Sequence, residues 1–466
     1  MAVTEDDQVR TLVVLGGTGD LAARLLLPGL GRLLDVEPHR RLRLVGSGTE
    51  AWDDERWRRR VRQSFDSAGA RGAAVDAAVD GGAYVRADVT LVGDLRRVLD
   101  AAQGPMALYF ALPPPVTVAA CRALLEVDLP SGSRLVLEKP FGTDGDSAAA
   151  LNALVTRLVR EDRVHRVDHF LGKSTVLNIL GLRFANRLLE PVWNADHVER
   201  VDVVFDETLG LEGRARYYDG AGALVDMIQS HLLQVLAFLA MEPPASVRAP
   251  DLRDRKADVL AACRVAGGDP VTSSRRSRWT AGRVGDRDLP GYADSEGVDP
   301  SRGTETLAEV LLEVDTPRWS GVPFLLRSGK AIGTARKEAV VTFKAASALP
   351  AGLHGTPQPT RLRIGFGPDG LVLELDVNGP GDPFELERVA LRTDFGAGDL
   401  TAYGEVLAGV LDGDPTLSVR GDTAERCWRI IEPVLDAWRR DDVPLEEYPA
   451  GSTGPTPRPP FDPSPS

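Results

Sequence analysis

The sequence has little of what disulfide-rich, nucleic-acid-binding or metal-cluster proteins contain. Its 466 residues include only three cysteines and six histidines, and its 55 basic residues against 68 acidic ones give a formal net charge of −13. Cys121, Cys263 and Cys427 lie far apart, so their spacing predicts neither a disulfide framework nor a metal site and favours a reducing compartment. An acidic chain is also a poor match for nucleic acid, because phosphate contacts need a basic face.

Long apolar runs are missing as well. The longest, Leu232 to Met241, is interrupted by Gln234 and falls short of the ~20 residues that a membrane helix needs. The first ten residues, MAVTEDDQVR, are acidic where a signal peptide is basic. We therefore expect a cytoplasmic protein with no membrane partner.

The residues that are present indicate two domains. Over residues 8–172, short apolar strands such as TLVVL alternate with helix-like stretches, which predicts an α/β, doubly wound parallel sheet. Over residues 173–453, strands such as Arg361 to Phe366 and Gly370 to Asp376 follow too closely for crossover helices, which predicts a mostly antiparallel α+β domain. The tail at 454–466 is rich in proline and serine, and we expect it to be disordered.

A glycine turn follows the first strand. Gly16 and Gly19 lie between the predicted strand and a helix that starts at Asp20, where a dinucleotide fingerprint belongs. An ordinary βα turn without a ligand has the same pattern. The loop after the second strand, Gly46 to Glu50, has no arginine for a 2′-phosphate and has Glu50 nearby, so it leans slightly toward NAD or dual use.

Two further segments carry charged residues at predicted strand ends. Lys139 is either a contact to a nicotinamide edge or substrate oxygen, or an exposed loop lysine. Asp168, His169 and Lys173 lie within six residues. The histidine and lysine could hold a dianion such as a sugar phosphate while the carboxylate orients a second imidazole, or the group is a surface ion cluster.

The stretch from Gly222 to Phe238 is apolar on most sides, which predicts a buried helix. Asp226 and His231 within it would be costly to bury unless paired, so His231 is either a satisfied core histidine or a general base oriented by a carboxylate. Glu207, after a strand, could bind hydroxyl groups or simply lie in a polar loop. Lys330, at a strand end, could contact an anionic ligand.

Taken in order, these segments resemble the glucose-6-phosphate dehydrogenase family over nearly the whole chain. The resemblance is carried by GGTGDLA, LPPP, LEKPFG, RVDHFLGK, RFANRLLEPVWN, EGRARYYD, DMIQSHLLQ, GTETLAEVLLEVD, RWSGVPFLLRSGK and YPAGSTGP. It implies a Rossmann domain that binds NADP or NAD, and a C-terminal domain whose large, mainly antiparallel sheet forms a homodimer or a dimer of dimers. It also implies oxidation of glucose 6-phosphate at the anomeric carbon to the lactone, in the pentose phosphate pathway of glucose metabolism.

The resemblance assigns roles to individual residues. His231 matches the general base, Asp168 the carboxylate that orients it, His169 and Lys173 the phosphate ligands, and Lys139 a contact to both substrate and cofactor. Further sugar contacts are Glu207, Asp226 and Lys330. The cofactor-binding residues are Gly16, Gly17, Thr18, Gly19, Asp20, Leu21, Ser47, Thr49 and Lys139. No metal site is expected.

The chain departs from the family pattern at four positions. Phe170 replaces a tyrosine, Val225 stands where arginine is common, Ser230 replaces an asparagine, and Thr49 lies at about the place of the arginine that takes the 2′-phosphate. Two alternatives therefore stay open beside glucose 6-phosphate oxidation. One is a dehydrogenase of another phosphorylated or modified sugar, and the other is a non-catalytic nucleotide-sensing homologue, against which the retained base and its partner speak.

Overall fold

The computed structural model describes residues 9–396, 398–462 and 464. The chain divides into two compact units. Unit 1 contains the chain as far as Lys173 together with Pro244–Arg255 and Gly398–Arg426, and unit 2 contains the remainder. The predicted division at residue 172 is therefore corrected for residues 244–255 and 398–426, which the sequence pattern assigned to the second domain.

The strands and helices are numbered in chain order. The strands are β1 (Thr11–Leu15), β2 (Arg43–Gly48), β3 (Ala83–Arg86), β4 (Met106–Phe110), β5 (Arg134–Glu138), β6 (Val164–Val167), β7 (Val198–Asp206), β8 (Cys263–Val265), β9 (Ser274–Thr280), β10 (Gly282–Val284), β11 (Arg287–Leu289), β12 (Leu307–Val314), β13 (Phe324–Gly329), β14 (Arg336–Phe343), β15 (Arg361–Phe366), β16 (Asp369–Asn378), β17 (Leu386–Asp394), β18 (Ser418–Val419) and β19 (Leu445–Pro449). The α-helices are α1 (Leu27–Val36), α2 (Asp54–Ser67), α3 (Ala73–Asp80), α4 (Val92–Ala102), α5 (Pro114–Leu124), α6 (Gly145–Leu158), α7 (Ser174–Phe184), α8 (Ala215–Ala223), α9 (Leu233–Ala240), α10 (Ala249–Ala262), α11 (Ala402–Asp412) and α12 (Gly421–Arg439). Two π-helical segments, Ala22–Leu26 and Leu224–Leu232, lead directly into α1 and α9.

Unit 1 contains a seven-stranded sheet with the order β18-β6-β5-β4-β1-β2-β3. All neighbours are parallel except β18, which runs antiparallel to β6. β1 and β4 are buried at every position, as expected for parallel strands covered on both faces. The strand order reverses between β1 and β4, which is where open α/β sheets bind ligands. The prediction of a Rossmann-like sheet is confirmed.

Unit 2 contains a ten-stranded sheet. Its order is β17-β16-β15-β14-β7-β13-β12-β9-β19, with β8 paired to β12. Neighbours are antiparallel except for two parallel pairs, β7 with β13 and β9 with β19. The prediction of a large, mainly antiparallel sheet is therefore confirmed.

One helical run is longer than its sequence pattern predicts. The expected helix starts at Gly222, whereas the structure has α8, a π-helical segment and α9 from Ala215 to Ala240. By length and composition this 26-residue run could cross a membrane, but its most apolar window is 89% buried within the protein, as in a core helix. Gly222 lies inside the run with φ 67° and ψ 177°, so the helical backbone is interrupted there.

The predicted disorder of the tail is wrong for the residues that the structure describes. Phe461 is buried in a cluster with Leu311 and Leu325. The Thr456 carbonyl accepts a hydrogen bond of 2.8 Å from Arg275. The tail composition is proline- and serine-rich, but Phe461 and hydrogen bonds to the backbone of Thr456 and Ser464 hold it against the rest of unit 2.

The packing around Gly222 predicts a difference between two glycines of α8. A Cβ at Gly222 would lie 2.3 Å from Glu305 Oε1, whereas a Cβ at Gly220 would meet nothing within 4 Å. Gly222→Ala should therefore lower the free energy of unfolding by about 1–3 kcal/mol through overpacking. Gly220→Ala, the matched control, should cost nothing, because alanine favours helix. Urea unfolding measures both, and equal losses would contradict this packing.

Candidate functional site

The turn after β1 brings two backbone segments of unit 1 unusually close together. Gly16 has φ +84°, and a Cβ there would lie 2.3 Å from the Ala111 carbonyl oxygen. The N–H groups of Gly16 and Gly17 both donate to the Ser47 carbonyl, at 2.8 and 2.9 Å. Only glycine fits at residue 16, and the turn therefore approaches the end of β2 as a phosphate-binding turn must.

The end of β2 provides small and polar groups beside this turn. The Thr18 hydroxyl donates to Glu50 Oε2 at 2.7 Å. A Cβ at Gly48 would lie 2.8 Å from that same carboxylate oxygen, so only a glycine leaves room there. The Ser47 hydroxyl is buried and has no hydrogen-bond partner among the described residues. This site combines glycines, a buried hydroxyl without a partner among the described residues and a helix that starts at Asp20 and Leu21. Such a combination fits a bound dinucleotide.

Lys139 follows β5, next to a buried carboxylate that sequence reasoning missed. Glu138 accepts hydrogen bonds from the hydroxyl groups of Tyr109 and Tyr403, the second at 3.4 Å. Burial raises the pKa of Glu138 to about 7, although both tyrosines and Lys139 oppose this rise. The carboxylate belongs to a tyrosine cluster at the carboxyl end of the sheet. No local pattern could have shown this, because Tyr403 is 265 residues away in sequence.

The loop after β6 carries Asp168, His169 and Lys173. Asp168 is 1% exposed, and its Oδ1 accepts a hydrogen bond from the Phe170 backbone N–H at 3.0 Å. The His169 ring stacks on Tyr403 with a centroid distance of 5.7 Å and an interplanar angle of 14°. The Lys173 ammonium lies 5.3 Å above the Phe170 ring. A short 3-10 helix, His169–Gly172, thus has Asp168 as its N-cap and Lys173 as its C-cap, which places the three residues on one short segment.

In unit 2, Asp226 and His231 both lie on the π-helical segment Leu224–Leu232. His231 is 1% exposed, and the predicted burial of this histidine is confirmed. The Tyr217 hydroxyl donates to Asp226 Oδ1 at 3.2 Å. Ser230, next to His231, has a buried hydroxyl without a hydrogen-bond partner among the described residues. π-helical turns are frequent at functional sites because they shift side chains out of the regular helical pattern.

Glu305 holds the start of this segment. Its Oε1 accepts a hydrogen bond of 2.9 Å from the Leu224 N–H, and its backbone carbonyl accepts one of 3.3 Å from Ala223. Burial raises the pKa of Glu305 to about 7, although the bonds from the backbone oppose the rise. Glu305 was missed as an individual residue, since its role depends on a glycine far away in sequence.

Glu207 and Lys330 form an ion pair in unit 2. The Lys330 ammonium lies 2.7 Å from Glu207 Oε2, and that of Lys337, from β14, lies 3.3 Å from Oε1. Burial alone would raise the pKa of Glu207, but the two ammonium groups outweigh it and hold the pKa below its usual value. Both predicted residues are thus neighbours. Lys337 was missed, and its only signal was its position at the start of the next strand.

Both parts of this chain are similar in sequence to known proteins. Two family models match, one described as glucose-6-phosphate dehydrogenase, NAD binding domain, over residues 13–178, and the other as glucose-6-phosphate dehydrogenase, C-terminal domain, over residues 180–459. The glucose-6-phosphate 1-dehydrogenase of Gluconobacter oxydans (strain 621H) is 38% identical, over 95% of this chain and 94% of that one.

Two solved structures are similar along almost the whole chain. The glucose-6-phosphate 1-dehydrogenase from Mycobacterium avium has a TM-score of 0.84 and 32% identity, and the match covers 96% of this chain and 95% of that one. A glucose-6-phosphate dehydrogenase in complex with its substrate glucose-6-phosphate has a TM-score of 0.87 and 27% identity, with 97% of both chains covered.

The burial of Glu305 predicts a pH-dependent stability. Its pKa is about 7 in the folded chain against the ordinary 4.5, so its protonated form stabilises the fold below pH 4.5 and this contribution is lost as the pH rises through 7. Glu305→Gln, which stays neutral, should remove this part of the slope. Urea unfolding of both proteins across this range measures it. A difference between them that does not change with pH would contradict the prediction, and Glu296→Gln, at an exposed position, is the control.

Proposed function

Since the chain belongs to the glucose-6-phosphate dehydrogenase family, we propose that it oxidises glucose 6-phosphate at the anomeric carbon to 6-phosphogluconolactone and transfers the hydride to NAD or NADP. The observation that carries this proposal is the buried imidazole of His231 on the π-helical segment, in a chain that both family models match. Burial of an imidazole is costly unless it is hydrogen-bonded or paired, so a buried histidine needs a partner or a task.

In the proposed reaction His231 is the general base. Its imidazole removes the proton of the anomeric hydroxyl, the C1–O bond becomes a carbonyl, and the C1–H bond leaves with its electron pair as hydride. The nicotinamide cofactor, held by the glycine turn of unit 1, supplies the acceptor for that hydride. Asp168 is the proposed partner that orients the imidazole and stabilises its protonated form, as carboxylates do in other Asp–His pairs.

His169 and Lys173 are the proposed ligands of the substrate phosphate. Support comes from the loop geometry: His169 lies on a short 3-10 turn where its ring stacks on Tyr403, and Lys173 caps the end of that turn. Phe170, which is buried in this loop, offers no hydroxyl to the phosphate. An ammonium and an imidazole can still neutralise a dianion through charge-assisted hydrogen bonds.

Sugar hydroxyls are the proposed partners of Glu207, Asp226 and Lys330. The ion pair of Glu207 with Lys330 holds the carboxylate ionised, so that it can accept hydrogen bonds from hydroxyl groups. Lys139, at the end of β5, is the proposed contact to both substrate and cofactor.

A second candidate keeps this chemistry and changes the sugar. The observation that favours it is the loss of a hydroxyl at Phe170 together with the changed residues Val225 and Ser230 near the proposed base. Absorbance of the reduced cofactor, measured with glucose 6-phosphate and with other sugar phosphates, separates the two. Turnover of another sugar phosphate alone would favour the second candidate. Nucleotide binding with no turnover of any sugar would favour a sensing role.

The resemblance also leads us to propose a cytoplasmic homodimer or dimer of dimers. β17 ends the unit 2 sheet, and it carries Leu391 at 60% exposure next to an exposed Phe395. An edge strand has unpaired backbone groups, and exposed apolar side chains beside it mark a surface that another chain can cover. Sedimentation analysis of the purified chain tests the assembly.

Replacing the proposed base should abolish most of the turnover. His231→Asn should lower kcat by about 10²–10⁴-fold, which is the usual contribution of a positioned general base, with little change in substrate binding. Initial rates and a separate titration of glucose 6-phosphate measure the two quantities. His354→Asn, at an exposed histidine, is the control and should leave kcat unchanged. A kcat near that of the wild type in His231→Asn would mean that another group is the base.

The proposed phosphate ligands should distinguish phosphorylated from free sugar. Lys173→Ala should raise KM for glucose 6-phosphate about tenfold or more, since hydrogen bonds to charged groups contribute about 1.5–3 kcal/mol. KM for unphosphorylated glucose should hardly change. Lys344→Ala, an exposed lysine on the same chain, controls for loss of charge. An equal rise for both sugars would contradict a phosphate role.

A further inference from the structure

The cofactor turn of unit 1 has a carboxylate fixed beside it. Glu50 follows β2 directly, and its Oε2 accepts a hydrogen bond of 2.7 Å from the Thr18 hydroxyl, a residue of the turn itself. The Tyr84 hydroxyl, from β3, donates to the Glu50 backbone carbonyl at 3.1 Å. The side chain of Glu50 is thus held by the glycine turn and its main chain by β3.

The end of the second strand is where this fold binds the ribose that carries the 2′-substituent. An acidic side chain there accepts a hydrogen bond from a free 2′-hydroxyl, and an arginine there holds a 2′-phosphate. Gly48 lets the carboxylate and the Tyr84 hydroxyl lie close to the main chain, because a Cβ there would lie 2.8 Å from Glu50 Oε2 and 3.0 Å from Tyr84 Oη. From this geometry we infer that the chain prefers NAD to NADP, and that Glu50 is the residue that sets the preference. The inference rests on the proposed function.

Charge supports the same conclusion. A 2′-phosphate carries between one and two negative charges at neutral pH, so a carboxylate held next to it repels it. Thr49, one residue before, offers a hydroxyl but no positive charge. The family pattern has an arginine at about this place, so this chain lacks the compensation that a 2′-phosphate needs.

Three arginines lie near this loop, and their contacts decide whether they could bind a 2′-phosphate. Arg86 donates from Nε to the Thr49 carbonyl at 3.0 Å. Arg56 and Arg60 lie over the Trp52 ring, 4.7 and 5.3 Å from its centroid. Arg86 is exposed, so solvent and salt screen its attraction for a phosphate. It is still the cation that a 2′-phosphate would recruit first, and the experiment therefore includes it.

Binding of the two nucleotides, measured by titration calorimetry without sugar, tests the inference separately from catalysis. The wild-type chain should bind NAD about tenfold or more tightly than NADP, which is what one hydrogen bond to a charged group supplies. Glu50→Gln keeps an acceptor for Thr18 and removes the charge, so it should tighten NADP binding by removing the repulsion and weaken NAD binding by weakening the hydrogen bond to the 2′-hydroxyl. Thr49→Arg should tighten NADP binding as well. Glu55→Gln, an exposed carboxylate on α2, is the matched control for net charge and should change neither.

The other possible binding results would contradict the inference or separate it from the proposed function. Wild-type binding of NADP as tight as that of NAD, no binding of NAD at all, or an unchanged ratio in Glu50→Gln would overturn the inference. Arg86→Ala that weakens NADP binding alone, in a wild type that prefers NADP, would show that Arg86 holds the 2′-phosphate. If NAD binds preferentially but glucose 6-phosphate reduces neither nucleotide, the proposed function fails while the nucleotide preference stands.

Discussion

The buried carboxylate of Glu305 fills space in unit 2 that exists only because Gly222 has no side chain. A Cβ at that glycine would overlap both carboxylate oxygens. With the carboxylate in that space, Leu224 finds an acceptor for its N–H at the start of the π-helical segment. This contact holds the start of the segment that carries Asp226 and His231. A larger residue at 222 or a shorter one at 305 would leave a helix start without its partner.

Unit 1 has the same arrangement, a glycine packed against an acceptor, at the carboxyl end of its sheet. Gly16 lets the turn approach the Ala111 carbonyl, and the Ser47 carbonyl takes up the first two amide groups of that turn. In both units a glycine allows the backbone to come close, and an acceptor already in place satisfies the N–H groups that would otherwise be buried without partners. The polar residues of the proposed chemistry are thus positioned by fixed backbone contacts. A flexible loop without such contacts would hold them less firmly.

Local patterns predicted the parts of this molecule that local physics determines. The strand–turn–helix at Thr11 to Leu34 and the crossover pattern of unit 1 follow from apolar periodicity and glycine placement, and they match the structure. The apolar stretch predicted a helix that starts at Gly222, but the helix begins at Ala215 and its backbone is interrupted at Gly222. The reason is Glu305, which lies 81 residues from Leu224 in sequence.

The same limit explains the other errors. Residues 244–255 and 398–426 join unit 1 although nothing in their composition marks them, and the proline-rich tail is held by Phe461 together with hydrogen bonds such as the one from Arg275 to Thr456. Among the polar groups, the Glu138 carboxylate accepts hydrogen bonds from Tyr109 and Tyr403. These three residues come from different parts of the chain. Such contacts are settled by tertiary packing, and single-sequence reasoning has no signal for them unless a family resemblance supplies one.

The departures from the family pattern follow a chemical logic. Phe170 and Thr49 replace side chains that would contact anionic groups of a ligand, and Ser230 replaces the amide that would precede the proposed base. In Ser230 a buried hydroxyl is left with no hydrogen-bond partner among the described residues, a costly arrangement in a protein interior. The proposed base and its carboxylate, by contrast, are unchanged. On the proposed function, substitutions of this kind would change which sugar and which nucleotide bind, while the proposed base and its carboxylate, which the removal of the proton requires, are kept.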